Sequence, residues 1–377
     1  MLGSLRRFPG AASDRTEQQP LRPTFSITTP VFNGRTFLDE TILSVVTQAG
    51  PFAIRYHVQD GGSSDGTLEI LERWSKRLSG DFPIVCDHVE FSYASAADRG
   101  LYDAVNKGFG RIGEGDFMSW INGDDRYQAG AFASVAQIFQ KFSDVHWIAS
   151  RPVLMSEAGA QGELVDLRSF PQRAIAAAIF DGRFSPWVLQ QEGMFWRSSL
   201  WKAVGGVNGA MRLAGDFDLW RRFALHADLV MADALLGVFR VRQGQLSTSI
   251  EKYHKEIDDR LSAEEMERRS EVAETFRAAT TPDALRSGGF ACRFAINRVF
   301  AGGWLVDLPE RLGLITQEAR LKLIPEQQNL ENLQGEVAIR DARLRELSDE
   351  LGEIRRSRWT KLGIRLRLTK LRAHLQE

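Results

Sequence analysis

Between residues 24 and 125 the chain switches repeatedly between two hydrophobic periods. Phe25-Ser-Ile-Thr-Thr is a β-rich run ended by Pro30, and Phe37, Leu38, Ile42, Val45 and Val46 then recur at helical spacing. Ile54 to Gln59 reads as a second strand, closed by Asp60-Gly-Gly-Ser, and Thr67 to Leu78 as a second amphipathic helix. Pro83 to Cys86 is a third strand candidate and Leu101 to Phe109 a third helix. Asp116 to Ile121 gives a fourth strand, ended by Asn122-Gly-Asp-Asp. Strand, loop and helix in this alternation predict an α/β fold with a mostly parallel central sheet flanked by helices. In such sheets ligands bind beyond the carboxyl ends of the strands, and the short polar clusters fall at those ends.

The pattern changes elsewhere. Residues 1–23 have little periodicity and read as a flexible leader. Residues 126–250 mix helix, strand and turn, so that one α/β domain is expected over 24–250. A charged, helical-looking extension is expected over 251–315, including Arg293 to Leu314. From 316 to 357 a coiled coil is expected. Leu330, Leu333, Val337, Leu344, Leu347, Leu351 and Ile354 step by threes and fours, with Arg340 the polar exception. A single helix packed on the body is the simpler alternative. Residues 358–377 form a basic amphipathic tail. Eight bases from Arg355 to Arg372 run uninterrupted by acid, interleaved with Trp359 and leucines. That pattern suits either an anionic membrane surface or a solvated helix end.

Composition narrows the classes. With 377 residues, 43% hydrophobic and 26% charged, the chain has ordinary globular texture. A net charge of -1 gives no overall basic field for nucleic acid as a partner. Cys86 and Cys292 are the two cysteines, in no CxxC pair, which argues against a disulfide framework or a zinc knuckle. No apolar run approaches the roughly 18 residues of a membrane span, the longest near the middle being Ala174 to Phe180. A cytoplasmic protein is expected, with peripheral contact at the inner membrane open through the basic tail.

The candidate chemistry lies in acids at strand ends. Asp60 precedes glycines that let a ligand approach the backbone, and its carboxylate can accept from an imide N–H; turn chemistry explains it equally well. Asp65 suits a cap for the helix starting at Thr67. Asp124 and Asp125 stand side by side, which is costly unless a cation or donors compensate. Oxygen ligands of this kind suit Mg²⁺ or Mn²⁺ bridging a diphosphate, and two solvated turn residues are the plain alternative. Arg99 can balance phosphate, while Asp98 and Asp103 can cap a helix.

Taken in order, Ser26-Ile-Thr-Thr-Pro-Val-Phe-Asn-Gly, Gln59-Asp-Gly-Gly-Ser-Ser-Asp-Gly-Thr, Asp98-Arg-Gly-Leu-Tyr-Asp-Ala-Val-Asn-Lys-Gly, Asn122-Gly-Asp-Asp, Gln190-Gln-Glu-Gly-Met-Phe-Trp and Ala214-Gly-Asp-Phe-Asp-Leu-Trp resemble the inverting family-two glycosyltransferases of GT-A fold, of bacterial surface-polysaccharide type. The resemblance covers about residues 24 to 250. It implies that Pro30, Phe32 and Asn33 line a nucleotide pocket, with Phe32 beside the base, that Asp60 reads the base, and that Arg99 and Asp124 contact the nucleotide. It further implies Asp125 as metal ligand, Gln191 and Glu192 facing donor sugar and acceptor, and Asp216 as catalytic base. The departure is Asn-Gly-Asp-Asp in place of a literal Asp-X-Asp. For Asp216 the alternative is a cap on the helix Phe217 to Ala227.

The implied function is transfer of a sugar from a nucleoside-diphosphate sugar, with a lean to uridine, to a hydroxyl of a glycan or lipid-linked glycan, with inversion and a divalent cation. Two rivals stand beside it. One is a sugar nucleotidyltransferase of related fold, although Thr29-Pro-Val-Phe-Asn-Gly is no triphosphate loop. The other is a non-catalytic scaffold acting through a self-pairing coiled coil. An NAD-binding fold lacks its GxGxxG after the first strand.

Overall fold

The computed structural model describes residues 22–162, 167–185, 187–245, 249–279, 281–298 and 303–307. Residues 1–21 of the expected leader, the coiled coil and the basic tail lie outside the described residues. The order is β1 (Thr24–Val31), α1 (Leu38–Val46), β2 (Gly50–Asp60), α2 (Thr67–Leu78), β3 (Cys86–Ser95), α3 (Leu101–Ile112), β4 (Phe117–Trp120), β5 (Arg126–Tyr127), α4 (Ala131–Lys141), β6 (Trp147–Ser150), β7 (Leu154–Met155) and α5 (Gln172–Ala176). Then come β8 (Phe195–Arg197), α6 (Ser198–Val204), α7 (Gly215–Ala224), β9 (Leu229–Ala232), β10 (Gly237–Arg240), α8 (Ile250–Asp258), α9 (Ala263–Ala278), α10 (Pro282–Ser287), β11 (Arg293–Arg298) and β12 (Gly303–Asp307).

Nine strands form the main sheet, in the order β12-β11-β9-β6-β8-β4-β1-β2-β3. The pairs β1–β2, β2–β3, β1–β4, β6–β9 and β9–β11 are parallel. The strand β8 runs antiparallel between β4 and β6, so the loop entering it lies at the carboxyl ends of its neighbours. A second sheet, β5-β10-β7, stands at those same ends. The predicted α/β class holds.

Alternation along the strands divides the core into two faces. On one face Phe25, Phe117, Phe195 and Ile148 pack with Phe132 of α4 and with apolar residues of α1 and α2. The rings of Phe25 and Phe132 stack with centroids 4.7 Å apart. On the other face Trp120, Trp147 and Trp196 meet Trp220 and Phe223 of α7 and Trp201 of α6. Trp120 and Trp220 are stacked at 5.5 Å with 9° between planes. Each such aromatic pair adds about 0.5–1.5 kcal/mol beyond its area burial, so α7 is fixed rigidly on the sheet.

Two expectations are corrected. The segment Arg293 to Leu314 is not helical in its described part: β11 joins β9 and turns back antiparallel as β12. Phe294 and Ala295 are fully buried there, and the sheet supplies the backbone partners that an isolated reading of the segment lacks. The α/β body therefore extends past residue 250 to at least 307, and among the described residues of the expected 251–315 extension the helices are α8, α9 and α10. The third strand lies at Cys86–Ser95 rather than at Pro83–Cys86, because an edge strand pairs on one side and keeps a polar sequence. Cys86 and Cys292 are free thiols. Among the described residues no helix is long and apolar enough to cross a membrane.

Candidate active site

The carboxyl ends of β2, β1 and β4 and the loop entering β8 converge on one crevice. Asp60 ends β2 and is fully buried. Its Oδ2 accepts from the backbone N–H groups of Gly62 and Ser63 at 3.0 Å and from Ser95 Oγ at 2.5 Å. The Ser63 hydroxyl donates to its Oδ1. In this structure Asp60 braces its own loop, with three donors on Oδ2 and one on Oδ1. Ser63 Oγ also takes the Asn33 N–H at 2.7 Å, and Asn33 Oδ1 takes the Ser64 N–H at 3.1 Å. Asn33 holds φ at 51°, which an asparagine tolerates in a turn. Pro30 is buried in β1, while Phe32 is 66% exposed, an apolar ring presented at the rim. A side chain at Gly61 would approach both Asp98 and the Phe32 ring, so the absence of a Cβ there keeps this rim open.

Asp65 accepts from the Thr67 N–H at 3.0 Å at the start of α2, although Gly66 occupies the cap position. Arg99 is mostly exposed and pairs with Asp103, Nη2 to Oδ1 at 2.8 Å. Arg99 and Lys107 together hold the Asp103 carboxyl below the usual carboxylate range. Asp98 Oδ1 accepts from the Gly100 N–H at 2.8 Å in the turn before α3, which has no side-chain cap.

Four carboxylates form the electrostatic centre. Asp125 is 1% exposed; its Oδ1 accepts from the Arg240 N–H at 2.8 Å and its Oδ2 from Asn122 Nδ2 at 3.2 Å. Burial, then Glu192 and Asp124, push the Asp125 carboxyl well above its ordinary range. Glu192 precedes β8, is buried, and its Oε2 has no hydrogen-bond partner. Burial raises its carboxyl to about 7, with Gln190 opposing and Asp216 and Asp124 adding to the rise. The neighbouring Gln191 ties this loop to β4, its Nε2 donating to the Trp120 carbonyl at 2.6 Å.

Asp216 lies in the first turn of α7, one residue inside the helix rather than at its cap. Its Oδ1 accepts from Tyr102 Oη at 2.9 Å and from the Phe217 N–H at 2.8 Å. Burial raises its carboxyl, and those two donors hold it down. The turn leading into α7 is held by Glu256 of α8, whose carboxylate accepts from the N–H groups of Arg212, Leu213 and Ala214 at 2.7–2.8 Å. A Cβ on Gly215 would lie 2.6 Å from the Tyr102 ring, so glycine lets α7 settle against that tyrosine.

The motifs did not single out Arg240 and Arg242. Arg240 is 1% exposed over the Phe37 ring, with Nη2 2.6 Å from Glu40 Oε2 and Nε donating to the Asp124 carbonyl. Arg242 Nε donates to Asp124 Oδ2 at 2.7 Å. The alternation Phe239-Arg-Val-Arg242 was the available signal, since period two sets both arginines on one side. The approach of β10 is close: a Cβ on Gly237 would lie 1.9 Å from the Glu192 carbonyl oxygen.

The expected cation site at Asp125 does not fit this arrangement. Both Asp125 oxygens are committed and buried. The more accessible Asp124 already faces a guanidinium. Among the described residues no three His, Cys, Asp or Glu side chains are placed to hold a metal ion.

Several comparisons bear on this geometry. No curated protein matches the chain. Among solved structures it is similar to S. aureus TarS 1–349 in complex with UDP-GlcNAc, at 16% identity and TM-score 0.49, over 71% of this chain and 78% of that one. It is also similar to the mannosyltransferase PcManGT from Pyrobaculum calidifontis in complex with GDP-Man and Mn²⁺, at 16% identity and TM-score 0.46, over 71% and 74%. Residues 26–159, which carry the ends of β1, β2 and β4 and so most of the crevice, match the model of glycosyl transferase family 2.

Proposed function

We propose that the protein transfers a sugar from a nucleoside-diphosphate sugar to a hydroxyl of a glycan or lipid-linked glycan, with inversion, in the making of a cell-surface polysaccharide. The observation that carries the reading is the meeting of Asp124, Glu192 and Asp216, the charges of the two aspartates acting on Glu192, at the carboxyl ends of the strands. Phe32 offers a face for the base, with Pro30 and Asn33 shaping the pocket beneath it and Asp60 fixing the loop opposite. Gln191 and Glu192 face the sugar.

An acceptor hydroxyl is a poor nucleophile at neutral pH and needs a base within hydrogen-bond reach. Asp216 is that base. Its carboxylate takes the hydroxyl proton as the acceptor oxygen bonds to the anomeric carbon, and the bond to the diphosphate oxygen breaks with its electron pair. The nucleoside diphosphate leaves with added negative charge, which fixed positive groups stabilise. A single displacement needs no protein nucleophile.

The test is a panel of sugar nucleotides incubated with the full chain and hydroxyl acceptors, following nucleoside diphosphate release and the anomeric configuration of the product by NMR. Release with an inverted product supports the reading. Binding and release absent across the panel would refute it, and a retained configuration would refute the single displacement.

A further inference from the structure

Two arginines leave the same side of the chain at β10, and the structure treats them differently. Arg240 is locked: beyond its contacts to Glu40 and the Asp124 carbonyl, Nη1 donates to the Glu157 carbonyl at 2.8 Å. Arg242 is not. Its side chain is 33% exposed, and its contacts are Nε to Asp124 Oδ2 at 2.7 Å and Nη1 to the Gln243 carbonyl at 3.2 Å. Among the described residues its Nη2 has no hydrogen-bond partner.

The backbone beneath it is fixed. The strand β10 is paired on both sides, antiparallel to β5 and parallel to β7. Gly237 packs directly on the Glu192 carbonyl. Beyond the strand, the Arg242 N–H donates to Gln245 Oε1 at 3.0 Å, and the Gln245 amide returns a hydrogen bond to the Arg240 carbonyl. A partly exposed guanidinium is thus carried on a clipped turn and held by a carboxylate of the crevice that water can reach. Asp124 keeps about a fifth of its side chain exposed, against 1% for Asp125.

Resting on the glycosyl-transfer reading, we infer that Arg242 is the resident counter-charge of the donor diphosphate, occupying the place beside Asp124 that a divalent cation would take. Asp124 aims the guanidinium while the crevice is empty. On donor binding the outer N–H groups of Arg242 pair with diphosphate oxygens, for which a planar fork is suited. The positive charge is then already in place when the leaving group gains its negative charge. Binding of the nucleoside diphosphate accordingly does not depend on metal.

The experiment reads binding alone. The full chain, freed of metal with EDTA, is titrated calorimetrically with UDP, GDP and TDP, with and without Mn²⁺, as wild type and as Arg242→Ala and Arg242→Lys. The wild type should bind one of these in EDTA, with Mn²⁺ improving affinity by less than about threefold. Arg242→Ala should lose about tenfold or more in EDTA, the scale of a charged hydrogen bond. Arg242→Lys should fall between the two, having charge without the fork. A wild type that binds only with Mn²⁺, or an Arg242→Ala chain that binds as wild type in EDTA, overturns the inference while leaving glycosyl transfer intact. Absence of nucleotide binding under every condition overturns both.

Discussion

The substitution Glu192→Gln tests the electrostatics of the crevice without any knowledge of its substrate. Glu192 is 3% exposed, and its carboxyl titrates at about 7 against an ordinary 4.5. Burial leads the causes, with the charges of Asp216 and Asp124 following. A carboxyl raised in the folded state stays protonated longer there than in the unfolded chain. Between about pH 4.5 and 7 the native state therefore binds more protons, and stability falls as pH rises. The rise from 4.5 to about 7 corresponds to about 3 kcal/mol, at about 1.4 kcal/mol per pH unit separating the two values. Glutamine keeps the shape and cannot ionise. Urea unfolding at pH 5 and pH 8 is the assay. At pH 8 Glu192→Gln should be more stable than wild type by up to about 3 kcal/mol, and at pH 5 the gap should shrink below about 1 kcal/mol. Coupling among the four carboxylates makes the larger figure a ceiling, since neighbours relax when one charge is removed. Stability curves that run parallel in the two proteins between those pH values would show that Glu192 ionises as it does in water.

Asp216→Asn should lower turnover by about 10²–10⁴-fold, the usual contribution of a general base, with nucleoside diphosphate affinity within about threefold of wild type by calorimetry; wild-type turnover would assign the base elsewhere. Tyr102→Phe removes a hydroxyl that stabilises the ionised form of Asp216, so the acidic limb of the kcat/KM profile should move to higher pH; a limb that stays in place would confine Tyr102 to packing. Arg269 is fully buried against Asp181, with Asp258 3.2 Å away. Arg269→Ala should therefore lose about 3–5 kcal/mol in denaturant unfolding, and a loss below about 1 kcal/mol would show that Arg183 alone satisfies Asp181.

The first half of this architecture was legible because its signals are local. Apolar spacing, a Pro or Gly stop and an acid after each strand located β1, α1, β2, α2 and β4 within a few residues. Two neighbouring carboxylates after Trp120-Ile announced a site because their repulsion needs an explanation nearby. Which of the pair faces water was not legible. That is decided by β10, more than a hundred residues later, whose Arg240 N–H draws Asp125 inward. The same distance hid Arg242, which looks like a surface charge until the chain folds back against Asp124. The strands β11 and β12 were missed for a related reason. Phe294 and Ile296 alternate, yet a six-residue run declares itself a strand only when β9 supplies its partner. Asp60 was legible as a special acid, but not the four hydrogen bonds its oxygens accept, because Ser95 arrives from a different strand.

The late return of β11 to β9 also sets a timetable for synthesis. Until Arg293 emerges, β9 is the open rim of the growing sheet, and about sixty residues separate it from its partner. At about 5–20 residues per second, that rim waits for several seconds. Its sequence, Leu-Val-Met-Ala, is fully apolar and buried in the finished protein. An unpaired apolar edge invites pairing with other chains. The nascent protein thus passes through a stage in which the half that carries the crevice is complete while its far rim is adhesive. Translation speed and chaperone supply across residues 233–293 should therefore govern the yield of folded protein more than any change within the crevice itself.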